Sequence, residues 1–204
     1  MTILITGGAG FIGSHVAEAL LRKGHDVCIY DNFNDYYNPV YKRENVEQIR
    51  RTAQKSNQSF VVVEGDIRDE SALNDCFGNC SIDAVIHLAA CAGVRPSIED
   101  APLYVDVNIN GTVRVLECMK RHNVKKLLFA SSSSVYGNNE KTPFSESDYV
   151  DNPISPYAAT KKAGELICHT YHHLYDMSIA SLRFFTVYGP RNAQTLRYIN
   201  LPTR

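Results

Sequence analysis

The segment Thr2-Ile3-Leu4-Ile5-Thr6-Gly7-Gly8-Ala9-Gly10-Phe11-Ile12-Gly13 decides the fold. Thr2 to Thr6 is a short apolar run closed by turn residues and reads as a buried strand. Phe11 to Lys23 switches to a helical period, with Val16, Leu20 and Leu21 on one face, and Asp26 to Asp31 returns to a strand. Strand, helix and strand in such a short stretch make a βαβ unit, whose two strands run parallel.

Outward from this unit the alternation continues. Val40 to Lys55 is a polar, helix-favouring stretch, Phe60 to Glu64 a third strand, Glu70 to Phe77 a helix and Ala84 to Leu88 a fourth strand. Leu103 to Arg121 reads as one long helix, Lys126 to Ala130 as a fifth strand, Tyr157 to Tyr175 as a helix and Ser178 to Phe185 as a sixth strand. The pattern predicts an α/β, Rossmann-type doubly wound parallel sheet of about six strands in the order 3-2-1-4-5-6, with helices on both faces. Gly189-Pro190 breaks the last element, and Arg191 to Arg204 shows no strong period. One domain over residues 1–191 and a divergent tail over 192–204 are expected.

The chain has 204 residues, 44% of them hydrophobic, which suffices for one sizeable core. Its net charge of -1 supplies no general field for nucleic acid or an anionic membrane, and neither is expected as a partner. No apolar run approaches the ~18 residues of a spanning helix, and the opening residues lack the basic region and cleavage site of a signal peptide. A cytoplasmic location follows as the expectation. Of the six cysteines, at 28, 76, 80, 91, 118 and 168, Cys76 and Cys80 form a C-x3-C pair without a second pair nearby. They read as reduced, structural thiols, and no metal site is expected. His169, His172 and His173 share a helical face with no carboxylate or thiolate at matching spacing, and read as a solvated helix end.

A near-neutral chain can still bind an anion through backbone geometry. Gly7, Gly8, Gly10 and Gly13 satisfy both G-x-x-G-x-x-G and G-x-G-x-x-G, directly after a predicted strand and at the opening of a predicted helix. Such glycines allow a tight turn and let a pyrophosphate rest on the free N–H groups of the helix N-terminus. Asp31, at the end of the next strand, suits the adenosine ribose hydroxyls, and a 2′-phosphate there would meet a like charge. The spacing therefore predicts NAD over NADP. Lys42 and Arg43 read as a solvated helix face. Downstream, Tyr157 and Lys161 lie one helical turn apart, preceded by the hydroxyl-rich strand end Ser131 to Ser134. A phenol whose pKa is lowered by the ammonium and by a nicotinamide cation is a base for an alcohol proton.

With these motifs, the sequence resembles the extended short-chain dehydrogenase/reductases, and within them the nucleotide-sugar epimerases. The resemblance runs from Met1 to about Arg191 through Thr6 to Gly13, Asp31-Asn32, Gly65-Asp66-Ile67, His87-Leu88-Ala89-Ala90, Asn108, Ser131 to Gly137, Tyr157 to Lys161 and Arg183-Phe184-Phe185. It implies a catalytic trio of Ser132, Tyr157 and Lys161: Ser132 hydrogen-bonds the reacting hydroxyl, Tyr157 takes its proton and Lys161 holds the nicotinamide ribose. It also implies an NAD site on Gly7, Gly10, Phe11, Ile12, Gly13, Asp31, Asn32, Asp66, Ile67, Leu88, Ala89, Ala90, Asn108, Tyr157, Lys161 and Phe184. Asn108 as a plain helix residue and Asp66 as a strand-end cap are the alternatives.

Sugar 4,6-dehydratases carry Thr-Asp-Glu, and UDP-glucuronate decarboxylases typically Thr-Ser-Glu, where this chain has Ser132-Ser133-Ser134, so no carboxyl is supplied for water elimination. Asp31 to Tyr37, continuing through Pro39 to Lys42-Arg43, and Phe185 to Pro190 look like UDP-glucuronate 4-epimerases; galactose 4-epimerases usually have Asn where Thr186 stands. The implied reaction inverts C4 of a UDP-sugar, most simply UDP-glucuronate, through a transient 4-keto sugar, with NAD regenerated each turn. Ser133, Ser134 and Thr186 are candidate hydroxyls for the substrate carboxylate, and Arg95, in the loop after the fourth strand, is a candidate for phosphate or substrate, with a solvated surface residue as the alternative. The resemblance departs after Arg191, where relatives continue into a substrate domain and place an Arg at position 193. The alternatives are thus an NAD-binding module without turnover, a UDP-glucose/galactose 4-epimerase lineage, and an oxidoreductase that releases NADH. A homodimer through the helices at 103–121 and 157–175 is also expected.

Overall fold

Six apolar runs assemble into one parallel sheet in the order β3-β2-β1-β4-β5-β6, as expected, in a computed structural model that describes residues 1–36 and 38–192. The strands are β1 (Thr2–Thr6), β2 (Asp26–Asp31), β3 (Phe60–Glu64), β4 (Ala84–His87), β5 (Lys126–Ser132) and β6 (Ser178–Phe184). Every neighbouring pair is parallel, in a register that sets Thr6 beside both Tyr30 and His87. The period-2 alternation of the central strands divides two cores. Ile3, Ile5, Val27 and Ile29 face α1 (Phe11–Arg22) and α2 (Pro39–Ser56). Leu4, Cys28, Tyr30, Val85, Leu127 and Phe129 face α3 (Glu70–Cys80), α6 (Gly111–Arg121) and α7 (Pro156–Tyr175). Burial on both faces is why these strands read as near-continuous apolar runs.

The coverage is uneven at one end. On the α1–α2 side of β5 and β6, Leu128 and Leu182 are each 39% exposed, so among the described residues the double winding is complete only over the first strands.

The expected helix from Leu103 to Arg121 forms, starting at Ala101 and interrupted in its regularity by a π turn. The chain forms a short helix α4 (Val94–Glu99), then α5 (Ala101–Val105), a π-helical turn (Asp106–Asn110) and α6 in unbroken helical conformation. Asp100 caps α5 by accepting from the Leu103 N–H, and Pro102 suits its first turn, where an N–H has no partner to lose. Arg95, expected in a loop, stands in α4. β5 runs two residues past the predicted end and carries Ser131 and Ser132 within the sheet, while β4 stops at His87. The expected tail begins at Asn192, and its remainder lies outside the described residues.

Candidate active site

The carboxyl ends of β1, β2, β4 and β5 open on one edge of the sheet, where ligands bind in open α/β folds. At β1 the chain turns at Gly7, whose φ of +70° is a left-handed value. A Cβ there would meet the Ala89 nitrogen at 2.8 Å, and one on Gly13 would collide with the Gly7 carbonyl oxygen. The tight turn and the close approach both require glycine. Gly10 caps α1 in extended conformation without a side-chain hydrogen bond. The first-turn N–H groups of Phe11, Ile12 and Gly13 thus point out of the helix with no intrahelical acceptor, which is the geometry of an anion cradle.

Asp31 ends β2 beside this loop and is buried. Its Oδ2 accepts from the Ala9 N–H at 3.1 Å, and its Oδ1 from the Phe33 N–H at 2.9 Å and from Lys42 Nζ at 3.2 Å. A carboxylate has roughly four acceptor sites, so one remains for a ribose hydroxyl. The reading of Lys42 as a solvated face is corrected: its side chain is buried, and Nζ bridges Asp31 and Asn34. Asp31 therefore stands as half of an ion pair, and repulsion by its charge is not the whole of any discrimination against a 2′-phosphate. Asn45 supports the same loop by donating to the Ala9 carbonyl. Arg43 does project outward, over the ring of Phe33.

Asp66 and Ile67 follow β3. Arg68 clamps the Asp66 carboxylate with two guanidinium nitrogens and its backbone N–H, Asn32 adds a fourth donor, and these partners, Arg68 foremost, hold the pKa down to about 2. Ile67 is buried beneath Gly111. Leu88, Ala89 and Ala90 are half-buried after β4, next to the glycine loop.

Asn108 sits in the π turn, whose hydrogen bonds span one residue more than those of an α-helix. Its amide oxygen accepts from the Cys91 N–H at 2.8 Å, and its NH₂ donates to the Cys91 carbonyl and to Thr160 Oγ1, each at 3.0 Å. The side chain ties the β4 loop to α7 and turns its polar atoms to the protein.

Ser132, at the end of β5, faces Tyr157 in the first turn of α7, close enough for its hydroxyl to favour the phenolate. Ser132 Oγ also donates to Ser134 Oγ at 3.1 Å, within the 3₁₀ turn Ser133–Tyr136. Lys161 is buried one turn along α7 and donates to the Ala130 carbonyl at 2.8 Å, its Nζ 5.9 Å from the centre of the Tyr157 ring. Burial lowers the Lys161 pKa to about 8. The expected lowering at Tyr157 is corrected for the chain alone: burial raises the phenol above its ordinary value, and the opposing influence is the nearby Ser132 hydroxyl. One of the three ammonium N–H groups goes to the Ala130 carbonyl, which leaves two for other acceptors.

Beneath the site runs a polar chain that sequence reasoning missed. The Ala89 N–H donates to Thr6 Oγ1, Thr6 meets His87 Nδ1 at 2.6 Å, His87 Nε2 meets Thr112 Oγ1 at 3.0 Å, and Thr112 donates to the Asn108 carbonyl. With Thr112 donating onward it accepts from Nε2–H, so Nδ1 accepts from Thr6, and one neutral tautomer satisfies every partner. Burial, with the Lys161 charge, lowers the His87 pKa to about 3 and keeps the ring neutral. Its signal was present: Thr6 and His87 are polar residues ending otherwise apolar strands. Glu165, which accepts from Ser131 and from two nitrogens of Arg183, was likewise missed. So was Arg191, which reaches Ser14 and Glu18 on α1.

The substrate-side residues separate. Ser133 and Ser134 are half-buried beside Ser132, and Phe184 is half-buried at the end of β6, whereas Arg95 and Thr186 are exposed. His169, His172 and His173 are exposed, with His172 Nδ1 2.8 Å from the Met177 carbonyl oxygen.

The family model described as GDP-mannose 4,6 dehydratase matches residues 4–202. The chain belongs to that family. UDP-glucuronate 4-epimerase 4 of Arabidopsis thaliana is 50% identical over 199 residues, 97% of this chain and 44% of the plant protein. Among solved structures, a variant UDP-glucuronic acid 4-epimerase from Bacillus cereus, in complex with UDP-4-deoxy-4-fluoro-glucuronic acid and NAD, aligns with a TM-score of 0.82 and 39% identity. It covers 94% of this chain and 58% of that one. The UDP-glucose 4-epimerase of Thermus thermophilus, in complex with NAD, aligns with a TM-score of 0.80 and 37% identity, over 94% and 57% of the two chains. This family member thus spans under half the length of its plant relative and somewhat over half that of the two solved enzymes.

Proposed function

We propose that this chain binds NAD and carries the chemistry of a UDP-sugar 4-epimerase, with UDP-glucuronate as substrate and UDP-galacturonate as product. The observation that carries the reading is the convergence of Ser132, Tyr157 and Lys161 at the end of β5, on the same sheet edge as the Gly7–Gly13 cradle. Substrate choice is supported by the 50% identity to a plant UDP-glucuronate 4-epimerase and by Ser132-Ser133-Ser134, which offers no carboxyl for dehydration.

The residues present fit the cofactor. The cradle that a Cβ would fill suits a pyrophosphate, and the remaining acceptor site of Asp31 suits a ribose hydroxyl. NAD, when bound, supplies the acceptor and then the donor of the C4 hydride and brings a positive ring near Tyr157. That charge offsets the burial that raises the phenol. Ser132 orients the 4-hydroxyl, Tyr157 accepts its proton and later returns it, and Lys161 holds positive charge beneath both. Ser133 and Ser134 are placed for the sugar carboxylate; Arg95 and Thr186 contribute from exposed positions.

In this reading residues 1–191 form the cofactor domain and residues from 192 diverge. Two copies pair through α5 and α7, where Leu103, Val105 and Leu166 are exposed, while Ile167 and Tyr171 pack into the chain's own core. The six unpaired thiols suit a cytoplasmic setting, and among the described residues no helix is long and apolar enough to cross a membrane.

The test incubates the purified chain with UDP-glucuronate and NAD, follows UDP-galacturonate by chromatography, and measures NAD binding in parallel. Product with no net gain of reduced nicotinamide is expected. Binding without turnover would replace the enzyme with an NAD-binding module, and a lasting rise in reduced-nicotinamide absorbance would make it an oxidoreductase.

A further inference from the structure

Cys76 and Cys80 stand one turn apart on α3, and the sheet brings a third thiol to them. Cys28, in the middle of β2, points to the α3 side and lies 3.8 Å from Cys76 and 3.4 Å from Cys80, sulfur to sulfur. All three sulfurs lie within 4.8 Å of one another. This cluster belongs to none of the machinery described above.

We propose that Cys28, Cys76 and Cys80 form a three-thiolate site for a thiophilic divalent cation of the zinc–cadmium class. Metal–sulfur bonds of about 2.3 Å place three bound sulfurs about 4.0 Å apart around an ion in their plane, and about 3.8 Å apart at three corners of a tetrahedron. The Cys28–Cys76 separation of 3.8 Å matches the tetrahedral value, and the Cys28–Cys80 separation of 3.4 Å is a few tenths of an ångström short of both, so small side-chain rotations suffice. The donors are all sulfur, without carboxylate or imidazole, which selects soft ions over calcium, magnesium or manganese.

Charge selects among the soft ions. Cys28 and Cys76 are buried among Tyr30, Leu73 and Phe77 in an apolar core. Three thiolates leave a net charge of -1 with a divalent ion and -2 with a monovalent one, and the apolar surroundings favour the smaller charge. Binding releases up to three thiol protons, M²⁺ + 3 RSH → [M(SR)₃]⁻ + 3 H⁺. In the metal-free chain the thiols already share protons unequally. Its hydrogen bond with Cys76, and burial, raise Cys28, while the hydrogen bond from Cys28 lowers Cys76. Cys80 is only half-buried and marks the side from which an ion enters.

The experiment titrates the full chain, purified under reductant and then freed of it, with Cd²⁺. It follows the ultraviolet cadmium–thiolate charge-transfer band and the thermal midpoint. One ion per chain and a raised midpoint are expected. Cys80→Ser changes the least buried of the three and should abolish stoichiometric uptake and the midpoint shift. Cys28→Ser should do the same, whereas Cys168→Ala, in the core but outside the trio, should keep both. Circular dichroism checks that each variant is folded. The proposal is overturned if folded wild-type chain takes up no stoichiometric Cd²⁺, or if uptake survives in folded Cys80→Ser. It is also overturned if mass spectrometry finds Cys28 and Cys80 joined as a disulfide in the chain that fails to bind.

Discussion

A phenol and an ammonium one helical turn apart do different work, and single substitutions separate them. Tyr157→Phe keeps the ring, which packs edge-on against Tyr104, and removes only the proton acceptor. Turnover of UDP-glucuronate should fall by about 10²- to 10⁴-fold, with NAD affinity in a binding titration unchanged. Lys161 acts on stability. Its folded pKa, about 8, lies below the 10.5 of a free lysine because burial penalises the ammonium. The unfolded chain therefore binds more protons between those values, and stability rises with pH across that window. Below it the penalty is fully present, on the order of 3 kcal/mol for this buried group. Lys161→Met should lack this rise, so the difference in urea-unfolding free energy between wild type and variant should change by roughly that amount from pH 7.5 to 10.5. These two residues were legible because an i, i+4 spacing survives in any helix. Lys42 was not: its ion pair with Asp31 depends on how α2 lies over the end of β2, which the periodicity of a polar helix does not encode.

The π turn is the clearest case of an element that the pattern could not foresee. The apolar spacing from Leu103 to Arg121 suits one helix, and the chain is helical there. The wider π turn nonetheless brings Asn108 inward, where its amide satisfies both backbone groups of Cys91 and meets the Thr160 hydroxyl. Asn108→Leu preserves size and removes all three bonds, leaving the Cys91 N–H and carbonyl without that partner. At about 1–3 kcal/mol for each unsatisfied buried group, a loss of about 2–4 kcal/mol is expected as a lowered urea midpoint at constant slope. NAD binding should weaken too, because the clamp holds the loop that follows Ala89 and Ala90. Asn108→Asp, which keeps the acceptor for the Cys91 N–H, should cost less. The central strands β1, β2 and β4, by contrast, were legible almost to the residue, since burial on two faces writes them as near-continuous apolar runs.

For the molecule as a whole, what distinguishes surface from core is also what the sequence left undecided. Leu166, Ile167, Tyr171 and Leu174 on α7 all read as apolar, and an amphipathic pattern cannot say whether a second apolar stripe meets the chain's own sheet or another copy. The structure divides them: Ile167 and Tyr171 join the core, while Leu166 is 56% and Leu174 59% exposed. Exposed apolar side chains also stand elsewhere, on Leu128, Leu182 and Phe185 at the β5–β6 end. Contiguous patches of this kind drive association, so two surfaces compete to explain any dimer. A charge on one of them decides. Leu166→Glu should convert a dimer to monomer in sedimentation velocity while leaving the unfolding midpoint of the monomer within about 0.5 kcal/mol of wild type, as expected for a surface change. Leu182→Lys, on the opposite side of the sheet, should leave the dimer intact and reduce only concentration-dependent aggregation. If Leu182→Lys instead abolished the dimer and Leu166→Glu did not, the β5–β6 strip would be the interface, and the outward stripe of α7 would be ordinary solvent-facing surface.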